Sequence, residues 1–200
     1  MKRNHFYSFA YVVLWPILHI VFRLSVQGRE RIPEGKAVFC CNHSSYADPL
    51  LIMIGAGYRN QLYAMAKSEI ASWPLVGWIL KISGMIFVHR GQADINAVKA
   101  AMKYLRNDQK ILIFPEGTRV SEEESASAKG GISMLSVRTG SPIVPVYLDS
   151  DKRLFHRTHI VFGEPFVPQT AGRRGTAEEY RQIAEESLRR IYALKKERGK

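Results

Sequence analysis

A chain of 200 residues with 46% hydrophobic content has material for one full-sized core and is short for two. A charged share of 24% excludes wholesale disorder, and 29 basic against 18 acidic residues leave a formal net charge of +11. That surplus draws the chain to something anionic: nucleic acid, a phospholipid surface or a phosphorylated small molecule. Its two cysteines, Cys40 and Cys41, are adjacent, which excludes a disulfide-stapled scaffold and makes no zinc spacing. A reducing compartment is the expected setting.

At the start of the chain, Lys2 and Arg3 precede an apolar run from Phe6 to Phe22 that includes Tyr7, Tyr11 and Trp15. A basic start before an apolar stretch is how a signal peptide begins, but no small-residue cleavage site follows this one. A straight helix over the run would be about 26 Å long, under the roughly 30 Å of hydrocarbon in a bilayer. Pro16 is expected to break it, and His19 is an awkward guest at a bilayer centre. Residues 1–25 are therefore read as a membrane-associating segment lying in the lipid–water interface, with a single span as the alternative. A core helix that happens to come first is the third reading.

From Val26 onward, short apolar runs alternate with helix-like stretches. Ala37–Cys41, Gln61–Ala66, Met85–Val88, Lys110–Phe114, Ile143–Leu148 and His159–Phe162 read as strands. Pro49–Ile54, Pro74–Ile82, Ala93–Asn107 and Gly131–Arg138 read as helices, the third from Ile95, Val98, Met102 and Leu105 at spacings of three and four. A last helix over about 176–198 puts Tyr180, Ile183, Ser187, Ile191 and Leu194 on one face, with Glu185–Arg189 and Glu186–Arg190 as exposed pairs. The expected fold class is α/β: a single domain over residues 26–200, a mixed sheet covered by helices, preceded by the apolar helical segment.

Three polar clusters follow strands, where α/β sheets place their ligands. The first is Asn42-His43-Ser44-Ser45-Tyr46-Ala47-Asp48-Pro49. A turn between His43 and Asp48 can join them, and a histidine held by a carboxylate is a general base. Equally, Asp48 can be a cap before a proline that starts a helix. The second cluster, Phe114-Pro115-Glu116-Gly117-Thr118-Arg119, offers a glycine for close backbone approach and a guanidinium fork that matches a phosphate. On its own it is also an ordinary polar turn. The third, Gly84-Met85-Ile86-Phe87-Val88-His89-Arg90-Gly91, delivers Arg90 to the same edge; alone, such an arginine is a solvated charge.

The order Asn-His-x4-Asp, Gly-x-Ile-Phe-x-x-Arg, Phe-Pro-Glu-Gly-Thr-Arg and Pro142-Ile143-Val144-Pro145-Val146 resembles the glycerolipid acyltransferase family, and within it the bacterial 1-acyl-sn-glycerol-3-phosphate acyltransferases. The resemblance spans about residues 42–146. It implies His43 as catalytic base and Asp48 as its orienting carboxylate. It implies Arg90 as a phosphate ligand, and Glu116, Gly117, Thr118 and Arg119 as the residues that bind or position the acceptor. Pro145 would be structural, and Lys129-Gly130 matches a later Lys-Gly of the family, with Ala128 where an aromatic often stands.

The implied reaction moves an acyl chain from a thioester to the sn-2 hydroxyl of lysophosphatidate, giving phosphatidic acid. It needs no metal and no bound cofactor, only acyl-CoA or acyl carrier protein as co-substrate. The partners implied are the phospholipid membrane, at its cytoplasmic face, and lysophosphatidate; nucleic acid is not among them. Other acceptors, glycerol 3-phosphate or another lysophospholipid, stay open within the family, and a non-enzymatic basic membrane-binding protein is the rival outside it. A hydrolase is disfavoured because the chain has no G-x-S-x-G elbow, and Cys41 is expected to point into the sheet. The six histidines show no H-E-x-x-H and no Cys/His pairing for zinc.

Overall fold

Strands that are buried on both faces read as continuous apolar runs, and Ala37–Cys41 is such a run with every residue buried. The computed structural model describes residues 5–74, 76–89, 94–116, 130–172 and 174–198. In chain order these form α1 (His5–Phe22), β1 (Ser25–Gln27), β2 (Ala37–Cys41), α2 (Asp48–Ala56), β3 (Leu62–Lys67), α3 (Val76–Ile82), β4 (Ile86–Val88), α4 (Ile95–Arg106), β5 (Lys110–Ile113), α5 (Gly131–Thr139), β6 (Ile143–Leu148), β7 (His159–Phe162) and α6 (Ala177–Ala193). One sheet runs in the order β1-β7-β6-β2-β5-β3-β4. The β6–β7 ladder is antiparallel and the others are parallel, so the sheet is mixed and the α/β class holds.

Side chains alternate across the sheet as the pleat requires. Ala37, Phe39 and Cys41 point into a core shared with α1 and α2, through Tyr7, Tyr11, Leu51, Ile52 and Ile54. Val38 and Cys40 point into the opposite core, filled by α4, α5 and α6 through Ala101, Leu105, Ile132, Leu135, Ala184 and Ile191. Phe39 is set opposite Val144 of β6 and Leu112 of β5, which fixes the central register. Because β2 to β6 run the same way, their carboxyl ends share one edge.

The expected elements are present; Ala37–Cys41, Ile143–Leu148 and His159–Phe162 have their expected ends, and the others shift by a few residues. Ile95–Arg106 begins after Asp94, whose side chain accepts the Ala97 N–H at 3.0 Å. The last helix starts after Thr176, which forms a capping box with Glu179. On its exposed side Glu186–Arg190 pairs at 2.7 Å as expected, but Glu185 is held by Arg181 at 2.6 Å and Arg189 turns to Glu186 at 2.8 Å. Strand β1 was not expected: three half-buried residues carry no alternation, and only pairing with β7 makes them a strand. Gly28, just after it, has φ 72°, and a Cβ there would lie 2.1 Å from the Phe162 carbonyl oxygen.

Pro16 does not break α1, which runs unbroken from His5 to Phe22. The carbonyl that loses its helical partner belongs to Val12, on the outer side, where Val12 is 65% exposed and the surroundings can satisfy it. The inner side carries Tyr7, Tyr11 and Leu18, all buried. Tyr11 donates to the Ile54 carbonyl at 3.4 Å and Tyr7 to that of Asn60 at 3.1 Å, so α1 is tied to α2 and to the turn that follows it. Phe9, Val12, Val13, Ile17 and Ile20 remain exposed. By length and composition α1 is able to cross a membrane.

Candidate active site

Asn42 follows β2 and has 3% of its surface exposed. Its side chain donates to the Leu148 carbonyl at 2.7 Å and accepts the Leu148 N–H at 2.9 Å. An amide supplies both a donor and an acceptor, so Asn42 closes the ends of β2 and β6 together as a backbone pair would. That fastening sets where the next residue stands.

His43 Nδ1 lies 2.9 Å from Asp48 Oδ2. The same oxygen accepts the N–H groups of Ser44 at 2.7 Å and Ser45 at 2.8 Å. The His43 ring stacks on Phe114 with centroids 4.0 Å apart, which fixes its plane. Asp48 is the first residue of α2 yet gives that helix no side-chain cap. The chain therefore turns between His43 and Asp48 so that the carboxylate faces backwards to the loop, and the capping alternative is set aside.

Asp48 has no exposed surface. Burial alone would raise its pKa. The hydrogen bond with His43, the Lys152 ammonium and the N–H groups of Ser45 and Ser44 outweigh that and hold it below the ordinary carboxylate range. Beside an ionised Asp48, His43 carries its proton on Nδ1 when neutral, and Nε2 is left as the basic nitrogen.

Glu116, 4% exposed, stands just beyond β5. It accepts the His43 backbone N–H at 3.2 Å and the Tyr192 hydroxyl at 2.7 Å. Its pKa is raised by burial, against the pull of those two hydrogen bonds. The structure thus brings His43, Asp48 and Glu116 together. Arg90, Gly117, Thr118 and Arg119, together with Lys129, lie outside the described residues. The strands that lead to them, β4 and β5, end at the edge where His43 stands.

Cys41 is buried, and its thiol is pushed far above the ordinary range by burial first, then by the nearby acids Asp48, Cys40 and Glu116, with Lys152 opposing. A thiolate nucleophile is not available there. Among the described residues no group of three or more His, Cys, Asp or Glu side chains is placed to hold a metal ion.

Sequence reasoning missed three supports of this site. Lys152 belongs to no motif, Tyr192 falls outside the face formed by Tyr180, Ile183, Ser187, Ile191 and Leu194, and the Ser44 and Ser45 contributions are backbone N–H groups. The Asn-His pair did announce Asn42, though not its role.

A family model described as acyltransferase matches residues 23–149. A 1-acyl-sn-glycerol-3-phosphate acyltransferase of Bacillus subtilis is 28% identical over 165 residues, covering 80% of this chain and 81% of that protein. A chloroplastic enzyme of the same description from Arabidopsis thaliana is 27% identical over 153 residues, 73% of this chain. A lyso-ornithine lipid O-acyltransferase of Pseudomonas aeruginosa is 30% identical over 127 residues, 62% of this chain. The chain spans less than half the length of these last two relatives, 42% and 46%. The crystal structure of the 1-acyl-sn-glycerophosphate acyltransferase of Thermotoga maritima superposes with a TM-score of 0.71 and 24% identity, covering 97% of this chain and 79% of that one, which shows the shared fold. The matched stretch holds β2 to β6 and the whole His43–Asp48–Glu116 arrangement, and on it the chain belongs to the acyltransferase family.

Proposed function

We propose that the chain transfers an acyl group from an acyl thioester to the sn-2 hydroxyl of 1-acyl-sn-glycerol 3-phosphate, giving phosphatidic acid for phospholipid synthesis. The observation that carries this reading is the His43–Asp48 pair at 2.9 Å, made through Nδ1 so that Nε2 is left for an acceptor hydroxyl. His43 takes the hydroxyl proton onto Nε2 as the oxygen attacks the thioester carbonyl, and Asp48 stabilises the imidazolium. When the tetrahedral oxyanion collapses, the C–S bond breaks and the departing thiolate takes the proton from Nε2. The base is then restored. N–H donors at the strand ends would stabilise the oxyanion.

Arg90 and Arg119, with Gly117 and Thr118, hold the acceptor's phosphate and so fix its hydroxyl near His43. Glu116 works in this scheme through its bonds to the His43 backbone and Tyr192, keeping the base in place. Acyl-CoA or acyl carrier protein supplies the thioester. Residues 1–25 associate with the cytoplasmic face of the membrane, and residues 26–200 form the acyltransferase domain. The apolar outer face of α1 and the +11 charge support that arrangement with an anionic bilayer.

A second acceptor is favoured by the similarity to a lyso-ornithine lipid enzyme. Purified protein offered lysophosphatidate, glycerol 3-phosphate and lyso-ornithine lipid, each with both donors, separates the readings by product mass. Phosphatidic acid from lysophosphatidate is expected. Product from lyso-ornithine lipid alone moves the acceptor, and no product from any pair sinks the proposal.

A further inference from the structure

Lys152, between β6 and β7, has a side chain only 5% exposed. Its Nζ stands 3.1 Å from Asp48 Oδ1, and it donates to Ser44 Oγ at 2.5 Å and to the Asp149 carbonyl at 2.6 Å. Asp48 Oδ1 receives no directed hydrogen bond, so the ammonium charge is what faces it. Taking a lysine out of water is unfavourable, and an apolar chain of similar length would fill the slot without that penalty. What an apolar chain could not supply is the positive charge.

The charged and titratable groups around the pair come from every neighbouring element. His43 lies on the loop after β2, the Cys41 thiol at the end of β2, and Glu116 beyond β5. Asp149 follows β6 and is itself bound by His159 of β7 and by Arg198, each at 2.9 Å. An ionised Glu116 favours the neutral form of Asp48. Lys152 opposes it.

We propose that Lys152 is a positioning residue of the dyad, holding Asp48 ionised and turned toward His43 so that the carboxylate supports the imidazolium formed during acyl transfer. This rests on the acyl-transfer reading above. The cation occupies Oδ1, which leaves Oδ2 to His43 and the two serine N–H groups. Without it the wholly buried Asp48 takes up a proton at higher pH, and a neutral acid cannot stabilise an imidazolium.

The test is Lys152→Met in the full chain. The turnover number kcat is expected to fall by on the order of tenfold with the acceptor KM little changed, and the acid limb of the kcat profile to move to higher pH. In protein carrying 13C-carboxyl aspartate, the Asp48 signal should also titrate at higher pH, a readout that needs no activity. Lys152→Cys treated with 2-bromoethylamine rebuilds an ammonium side chain and should restore the limb. Iodoacetamide, which adds a neutral group, should not. Wild type treated alike is the control for reaction at Cys40 and Cys41, and the added mass confirms labelling at position 152. A folded Lys152→Met protein that has lost stability but keeps both the limb and the Asp48 titration overturns the inference. So does equal recovery with the two reagents, which also decides the matter if the methionine variant does not fold. If wild type acylates no acceptor, the acyl-transfer reading fails, and the Asp48 titration still tests the role of Lys152.

Discussion

A carboxylate with no exposed surface stays an anion only while its neighbours keep it one, and Asp48 relies on His43, Lys152 and the Ser44 and Ser45 N–H groups. His43→Ala and Asp48→Asn should therefore each lower kcat by orders of magnitude, and the double variant should be little worse than His43→Ala. Additive losses in steady-state kinetics would show two independent residues. The same geometry gives stability a pH dependence. The folded pKa of Asp48 is lowered, so its contribution is complete above the unfolded value of about 3.9 and is lost as pH falls through the folded value. The pKa of Glu116 is raised, so its contribution has the opposite sense and is lost as pH rises through the folded value. Melting temperatures measured on the acid side should accordingly fall less steeply with pH in Asp48→Asn than in wild type. His43 and Asp48 were legible through the order of the motifs and its resemblance to the acyltransferases, because their spacing alone left a helix cap equally open. Lys152 was not, because Ser44 and Lys152 stand 108 residues apart and only the fold brings them together.

Helix α1 has two working faces. The inner one spends three side chains, Tyr7, Tyr11 and Leu18, on the core, while the outer one leaves Phe9 at 66% and Ile20 at 67% exposure. A contiguous apolar face of this kind marks a surface that meets another apolar phase. Replacing Phe9 and Ile20 together by serine should weaken sedimentation with anionic vesicles and leave the melting temperature nearly unchanged. Equal binding by the double variant would remove this face from the membrane contact. The existence of α1 was readable from the apolar run, but its continuity through Pro16 was not, because that depends on which side of the helix the proline falls. Strand β1 was unreadable for a related reason: its strand character comes from β7.

For the molecule as a whole, α1 belongs to the same core as β2 and α2. Deleting residues 1–24 should therefore lower stability by several kcal/mol, roughly 1.5–3 kcal/mol for each large side chain lost from the interior, as well as release the protein from membranes. Denaturant unfolding of the truncated chain against wild type measures this; an unchanged midpoint would mean that the inner face contributes nothing. Strand–helix alternation made the α/β architecture legible, since each buried run was bounded by turn residues. The strand order was not, because β2 takes both neighbours, β5 and β6, from far along the chain. That pairing has a consequence for biogenesis. While the ribosome is still making the protein, β2 has neither neighbour until residues 110–113 have emerged and is flanked on both sides only after residues 143–146. The lysine that faces Asp48 comes later still. The nascent chain therefore carries its apolar central strand unpaired from residue 41 until residues 110–113 have been made, which is when a chaperone has reason to hold it.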